Sequence, residues 1–115
     1  MQYHPHVDIS TLDISILLAV ADRAVHGYAA MQAIRESAEG RVRVSTGSFY
    51  RRLSLLIAGG LVEEAGGPRD DDPRRGAYYR ITPRGRQALA HERDRMAALV
   101  AAVDALRAPS RGRRA

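Results

Sequence analysis

Ser45-Thr46-Gly47-Ser48-Phe49-Tyr50-Arg51-Arg52-Leu53, followed by Gly59-Gly60-Leu61-Val62, is the stretch whose reading decides the fold. It describes a helix opening on small polar residues, with Ser45 as N-cap and Phe49, Leu53, Leu56 and Ile57 turned inward. A glycine pair stops the helix before a strand over Leu61–Ala65. Such a helix start, carrying hydroxyls, a Tyr and two Arg, suits a phosphate backbone and nearby base edges. A turn-rich segment with a second basic run follows, Arg74-Arg75-Gly76-Ala77-Tyr78-Tyr79-Arg80, and leads into a return strand over Ala77–Thr82. Helix, strand, basic turn, strand is the order of a winged helix-turn-helix, and it points to DNA binding rather than catalysis.

Working outward, residues 1–9 form a polar arm with His4-Pro5-His6, too floppy a setting for a metal pair. The first helix starts at Ser10-Thr11, carries Leu12, Ile16, Leu17, Val20 and Ala21 at helical spacing, and stops near Asp22-Arg23. A second helix follows His26-Gly27, with Tyr28, Met31, Ile34 and Ala38 on one face, and Gly40 closes it. His26 is expected to bond near that helix start rather than to sense pH. Arg41-Val42-Arg43-Val44 alternates as a short strand or an extended link. Thr82 and Pro83 open the last helix as N-cap and first helical residue.

The predicted architecture is mainly α with a small β-hairpin. It consists of an N-terminal arm (1–9), a winged helix-turn-helix (10–82), a long C-terminal dimerisation helix (83–108) and a disordered basic tail (109–115). In the last helix Leu89, Met96, Leu99, Val103 and Leu106 follow heptad spacing, with Glu92 in one seam position. A partner subunit is the expected cover for that stripe; packing back onto the first helix of the same chain is the alternative.

The 115 residues suit one domain, and net charge is +5 with every basic residue an Arg. Arg forms bidentate bonds to phosphate and guanine, although codon bias explains the missing Lys equally well. With no Cys, thiolate metal sites, disulfides and Cys nucleophiles are excluded. No apolar run approaches the roughly 18 residues of a membrane span, and a cytoplasmic protein is expected. No constellation here matches an enzyme, a cofactor cradle or a metal site. Asp70-Asp71-Asp72 is best taken as a solvated loop, since three consecutive carboxylates rarely converge on one ion; its charge means that the hairpin tip either points away from DNA or moderates affinity.

The hydroxyls of Ser45, Ser48 and Tyr50 suit phosphate contacts, which set docking without reading sequence. Arg51 and Arg52 diverge by about 100° on the helix surface, so one can face base edges while the other lies over the backbone. Arg52 is the first choice for the base-reading role and Arg51 its rival. Tyr50 is expected exposed or half-exposed because Phe49 takes the inward position. In the hairpin, Arg74, Arg75 and Arg80 would straddle an adjacent phosphate track, and Tyr78 and Tyr79 should point to opposite faces.

The chain resembles the PadR family of bacterial transcriptional regulators, most closely its short members with one C-terminal helix. The signposts are Ile16-Leu17-Leu18-Ala19-Val20, then His26-Gly27-Tyr28, Gly47-Ser48-Phe49-Tyr50, Gly60-Leu61-Val62, and Tyr78-Tyr79-Arg80-Ile81-Thr82-Pro83-Arg84-Gly85. The resemblance implies a third helix in the major groove, a hairpin wing, and a homodimer in which the C-terminal helix packs on the partner's first helix. It implies repression from an inverted-repeat operator, relieved by a small molecule or other signal. The family's DNA-contacting positions carry over to Ser45, Ser48, Tyr50, Arg51, Arg52, Arg75 and Arg80. Arg51 stands where Pro is common, Ser54-Leu55 where a basic pair is usual, and Gly76-Ala77 where a basic residue usually precedes the two Tyr.

An effector, if bound, is expected between the two heads, near Leu12, Ile16, Met96 and Val100. The competing reading is a winged-helix module that docks a protein and binds DNA weakly or not at all. The Asp run and the missing late basic pair are its support.

Overall fold

The computed structural model describes residues 9–37, 43–66 and 77–107. His4, His6, the Asp70–Asp72 run, Arg74, Arg75 and the expected basic tail lie outside the described residues, as do Ala38 and Gly40. The elements are α1 (Thr11–Ala19), β1 (Val25–His26), α2 (Gly27–Ser37), α3 (Thr46–Ala58), β2 (Val62–Ala65), β3 (Tyr78–Ile81) and α4 (Pro83–Arg107).

Ser10 caps α1. Its hydroxyl accepts from the Asp13 N–H at 3.1 Å, and the Asp13 carboxylate accepts from the Ser10 N–H at 3.0 Å. The helix is apolar on nearly every side, the pattern of a helix surrounded by others, and α1 does pack against α2, α3 and α4. Ile16, Leu17 and Val20 are buried and meet Ala30, Met31 and Ile34 of α2 and Phe49, Leu53 and Leu56 of α3 in one core. Leu18 is the exception, at 60% exposure. Ile9, assigned from sequence to the polar arm, is buried in this core, so the folded unit begins one residue earlier.

Two readings of α2 need correction. A short strand, β1, precedes it. Val25 pairs with Tyr79 and His26 with Tyr78, and β3 also pairs with β2, giving an antiparallel sheet of order β1-β3-β2 rather than a bare hairpin. Two residues are too short for an alternation to be seen in sequence. Tyr28, expected on the inner face, is 55% exposed, because Gly27, Ala30, Met31 and Ile34 form that face. Arg35 braces the way to α3, donating from Nε and a terminal nitrogen to the Val44 carbonyl at 3.1 and 2.8 Å.

Ser45 caps α3 by accepting from the Ser48 N–H at 3.1 Å. Gly60, at φ +80°, supplies the left-handed turn into β2 that other residues adopt at a cost. The Thr82 hydroxyl accepts from the Gly85 N–H at 3.0 Å and donates to the Gly60 carbonyl at 2.6 Å, tying the start of α4 to that turn. At Gly85 a Cβ would lie 2.2 Å from the Leu61 carbonyl oxygen, so only glycine lets α4 leave the sheet along this line.

Over its first turns α4 belongs to the domain. Ala88 is buried, Leu89 packs against the core, and Glu92 is 3% exposed with Arg95 at 2.8 Å. From Arg93 to Leu106 every residue is exposed.

Candidate nucleic-acid interface

The start of α3 is open to solvent. Thr46 and Gly47 are exposed, and their N–H groups lie ahead of the first intrahelical bond, Phe49 N–H to the Ser45 carbonyl at 3.0 Å. A Cβ added at Gly47 would meet nothing within 4 Å. Ser45 is exposed and Ser48 half-exposed, so both hydroxyls reach the surface beside these N–H groups.

Tyr50 is 37% exposed, as expected from Phe49 taking the core position; the two rings meet edge-on with centroids 4.9 Å apart. Its hydroxyl lies over the start of α2, where a Cβ on Gly27 would stand 3.0 Å away. The Tyr79 ring borders the same glycine. Burial, with smaller contributions from Glu64 and Tyr50, pushes the Tyr79 hydroxyl above its ordinary pKa. The beginning of α2, the first turns of α3 and strand β3 therefore converge around Gly27, while Tyr28 is exposed beside Arg23, His26 and Tyr78. The Tyr28 N–H donates to His26 Nδ1 at 3.2 Å, and the His26 ring stands edge-on to Tyr78 at 5.6 Å. His26 thus closes the start of α2.

Arg51 and Arg52 part company. Arg51 is exposed and has no ion pair among the described residues. Arg52 turns inward: its Nε donates to one Asp13 carboxylate oxygen at 2.8 Å and a terminal nitrogen to the other at 2.7 Å. The Asp13 side chain is 3% exposed and that of Arg52 32%. Hydrogen bonding to Asp13 raises the Arg52 pKa still further. Asp13 takes one edge of the guanidinium, Nε and a terminal nitrogen, and the N–H donors of the end-on edge remain. Arg51, the rival for base reading, diverges from Arg52 by about 100° around the helix and has no such brace.

On the wing, Arg80 is exposed and its Nε donates to Glu63, its cross-strand partner, at 2.7 Å. An exposed pair of this kind is worth about 0–1 kcal/mol and yields readily to a phosphate. Arg75 lies outside the described residues. Ser45, Ser48, Tyr50 and Arg51 thus share the start of α3, Arg52 is braced by Asp13 with its side chain about a third exposed, and Arg80 lies exposed on β3.

Asp13 was missed from sequence. Ser10-x-x-Asp13 carries the signal for a helix cap, but its guanidinium partner lies 39 residues further on, beyond any local pattern. Tyr28 was misplaced because a single aromatic at helical spacing fits either face.

A three-helix unit with a small antiparallel sheet, an open third helix and a wing defines a winged helix-turn-helix protein of the DNA-binding class. Residues 16–91 match the model of the transcriptional regulator PadR-like family, and the chain belongs to that family. Its members regulate transcription by binding DNA and are not enzymes. The fold is similar to that of a transcriptional regulator from Clostridium thermocellum, at TM-score 0.67 and 19% identity, over 82% of this chain and 89% of that one. It is also similar to a protein of Streptococcus mutans UA159, at TM-score 0.64 and 19% identity, over 88% and 92%. No curated protein matches the chain. Among the described residues no helix is long and apolar enough to cross a membrane.

Proposed function

We propose that this PadR-like regulator is a homodimeric repressor that binds an inverted-repeat operator and is released by a small molecule or other signal. The observation that carries the DNA reading is the open start of α3. Hydroxyls, helix N–H groups and Arg51 stand there together, and Arg80 of the wing is exposed as well. Ser45, Ser48 and Tyr50 take phosphates, Arg51 reads a base edge, and Arg80, with Arg75, follows the neighbouring phosphate track.

The dimer reading is supported by α4. Met96, Leu99, Val100, Val103 and Leu106 are exposed at 38%, 53%, 59%, 56% and 73% along a helix that leaves its own domain behind. Leu89 packs onto its own core, so the face offered to a partner begins at Met96. A shallow hollow lined by Ser15, Leu18, Ala19, Ala33, Ile34 and Ser37 lies beside the exposed Leu18, and it is the natural seat for part of the partner's helix.

An effector would enter between the two heads. Leu12, Met96 and Val100 keep surface for it, whereas Ile16, at 0% exposure, is enclosed by the core and offers none. Such a regulator works in the cytoplasm, where its operator is.

Sedimentation and DNA titration test this reading together. A dimer touching about 8 phosphates gives a slope near −7 in log K against log salt. A module that docks a protein instead has no saturable complex with any duplex at moderate salt.

A further inference from the structure

We propose that Asp13 and Arg52 are positioning residues for DNA reading: a strut that fixes the angle of α3 against α1, so that the surface of α3 follows α1 as a rigid unit. This rests on the DNA-binding reading given above.

The carboxylate is immobilised from both sides. The Ser10 N–H holds it at the start of its own helix, and the two prongs of Arg52 hold it from α3. No rotation of either side chain keeps all three bonds, so the strut transmits orientation and not merely proximity. It joins the first turn of α1 to the middle of α3, while Phe49 and Leu53 pack α3 on the core. The hydrophobic attraction is non-directional, whereas a bidentate pair fixes the relative orientation of its two partners. Arg52 adjoins Arg51 and lies two residues from Tyr50, so displacement at the strut displaces the whole open surface of α3. Since α1 also packs against α2 and α4, a change in α4 reaches the DNA-facing helix through α1.

Mere stabilisation is a poor account of the pair. A buried ion pair adds little over apolar residues of the same volume, and its best-attested use is to fix register. Asn at position 13 would retain an acceptor for the Ser10 cap, so the cap alone does not call for a charge.

The test uses the full chain, with the operator obtained by selection from a random duplex pool, and a scrambled duplex at the same salt. Asp13→Asn removes one negative charge, so simple electrostatics predicts tighter binding to every duplex. The strut predicts the reverse for the operator. Its affinity falls about tenfold, the cost of one misplaced base contact, while scrambled-duplex affinity stays within about twofold or rises. The strut also predicts a broader tolerance of half-site spacings around 10–10.5 bp. Arg52→Lys, which keeps the charge but not the fork, gives an intermediate operator affinity. A folded Asp13→Asn protein with wild-type operator affinity and spacing profile overturns the proposal, as do operator and scrambled affinities that fall in one ratio. If Asp13→Asn does not fold, Arg52→Lys decides by the same ratio. A wild type with no preference for any duplex overturns the DNA reading itself, and the strut with it.

Discussion

Replacing Arg52 with Ala tests the structural role that its pairing with Asp13 gives this residue. The substitution leaves the Asp13 carboxylate, 3% exposed, with the Ser10 N–H as its remaining partner. Removing one member of a buried pair costs about 3–5 kcal/mol. The Arg52 side chain is itself about a third exposed, so water reaches part of the vacated space and the lower end, about 3 kcal/mol, applies. For a domain of this size each kcal/mol moves the midpoint by about 4–8 °C, so the Tm should fall by about 12–24 °C. Arg51→Ala, one residue away but exposed, should stay within about 0.5 kcal/mol of wild type. Urea and thermal unfolding of both variants, followed by circular dichroism without DNA, make the comparison. A double-mutant cycle with Asp13→Ala should give a coupling above about 1 kcal/mol. An Arg52→Ala protein as stable as Arg51→Ala, or a coupling near zero, refutes the reasoning.

Three other substitutions probe separate parts of the account. Leu99→Asp changes a side chain that is 53% exposed in the single chain; sedimentation should show loss of the dimer with helical content retained, and an intact dimer would contradict the α4 interface. Gly47→Ala adds a methyl that meets nothing in the protein, so stability should hold or rise by about 0.5 kcal/mol while DNA affinity falls, because the backbone there must approach phosphate closely; unchanged affinity removes that argument. Tyr79 has a folded pKa raised above 10 by burial, so its contribution is fully present below about pH 10 and is lost as pH rises through the higher folded value. Tyr79→Phe should therefore flatten the loss of stability above about pH 10 seen by chemical denaturation, and a profile as steep as wild type would show that another group is responsible.

Helix α3 and both ends of its surface were legible because its signals are local. Ser45 caps it, Phe49, Leu53 and Leu56 recur at helical spacing, and Gly59-Gly60 ends it. The Thr82-Pro83 start of α4 was legible for the same reason. The strand at Val25–His26 was not, because its two residues are strand only by pairing with Tyr78 and Tyr79, more than fifty positions away. The role of Arg52 was hidden in the same manner. Arg51 and Arg52 are identical in composition and adjacent in sequence, and what separates them is Asp13 on a different helix. The heptad stripe on α4 was legible as a pattern, but its inner end was not: Leu89 fits the repeat and yet packs on its own domain, because the first turns of α4 lie against α1 and the sheet.

The central claim is that α3 reads DNA through Arg51. The direct measurement is the affinity of wild type and Arg51→Ala for the selected operator and for a scrambled duplex at one salt concentration. Arg51→Ala should lose about 1–3 kcal/mol on the operator and less on the scrambled duplex, with preference relaxed at one base pair per half-site. Equal losses on both duplexes, or a wild type that forms no saturable complex with either, would contradict it.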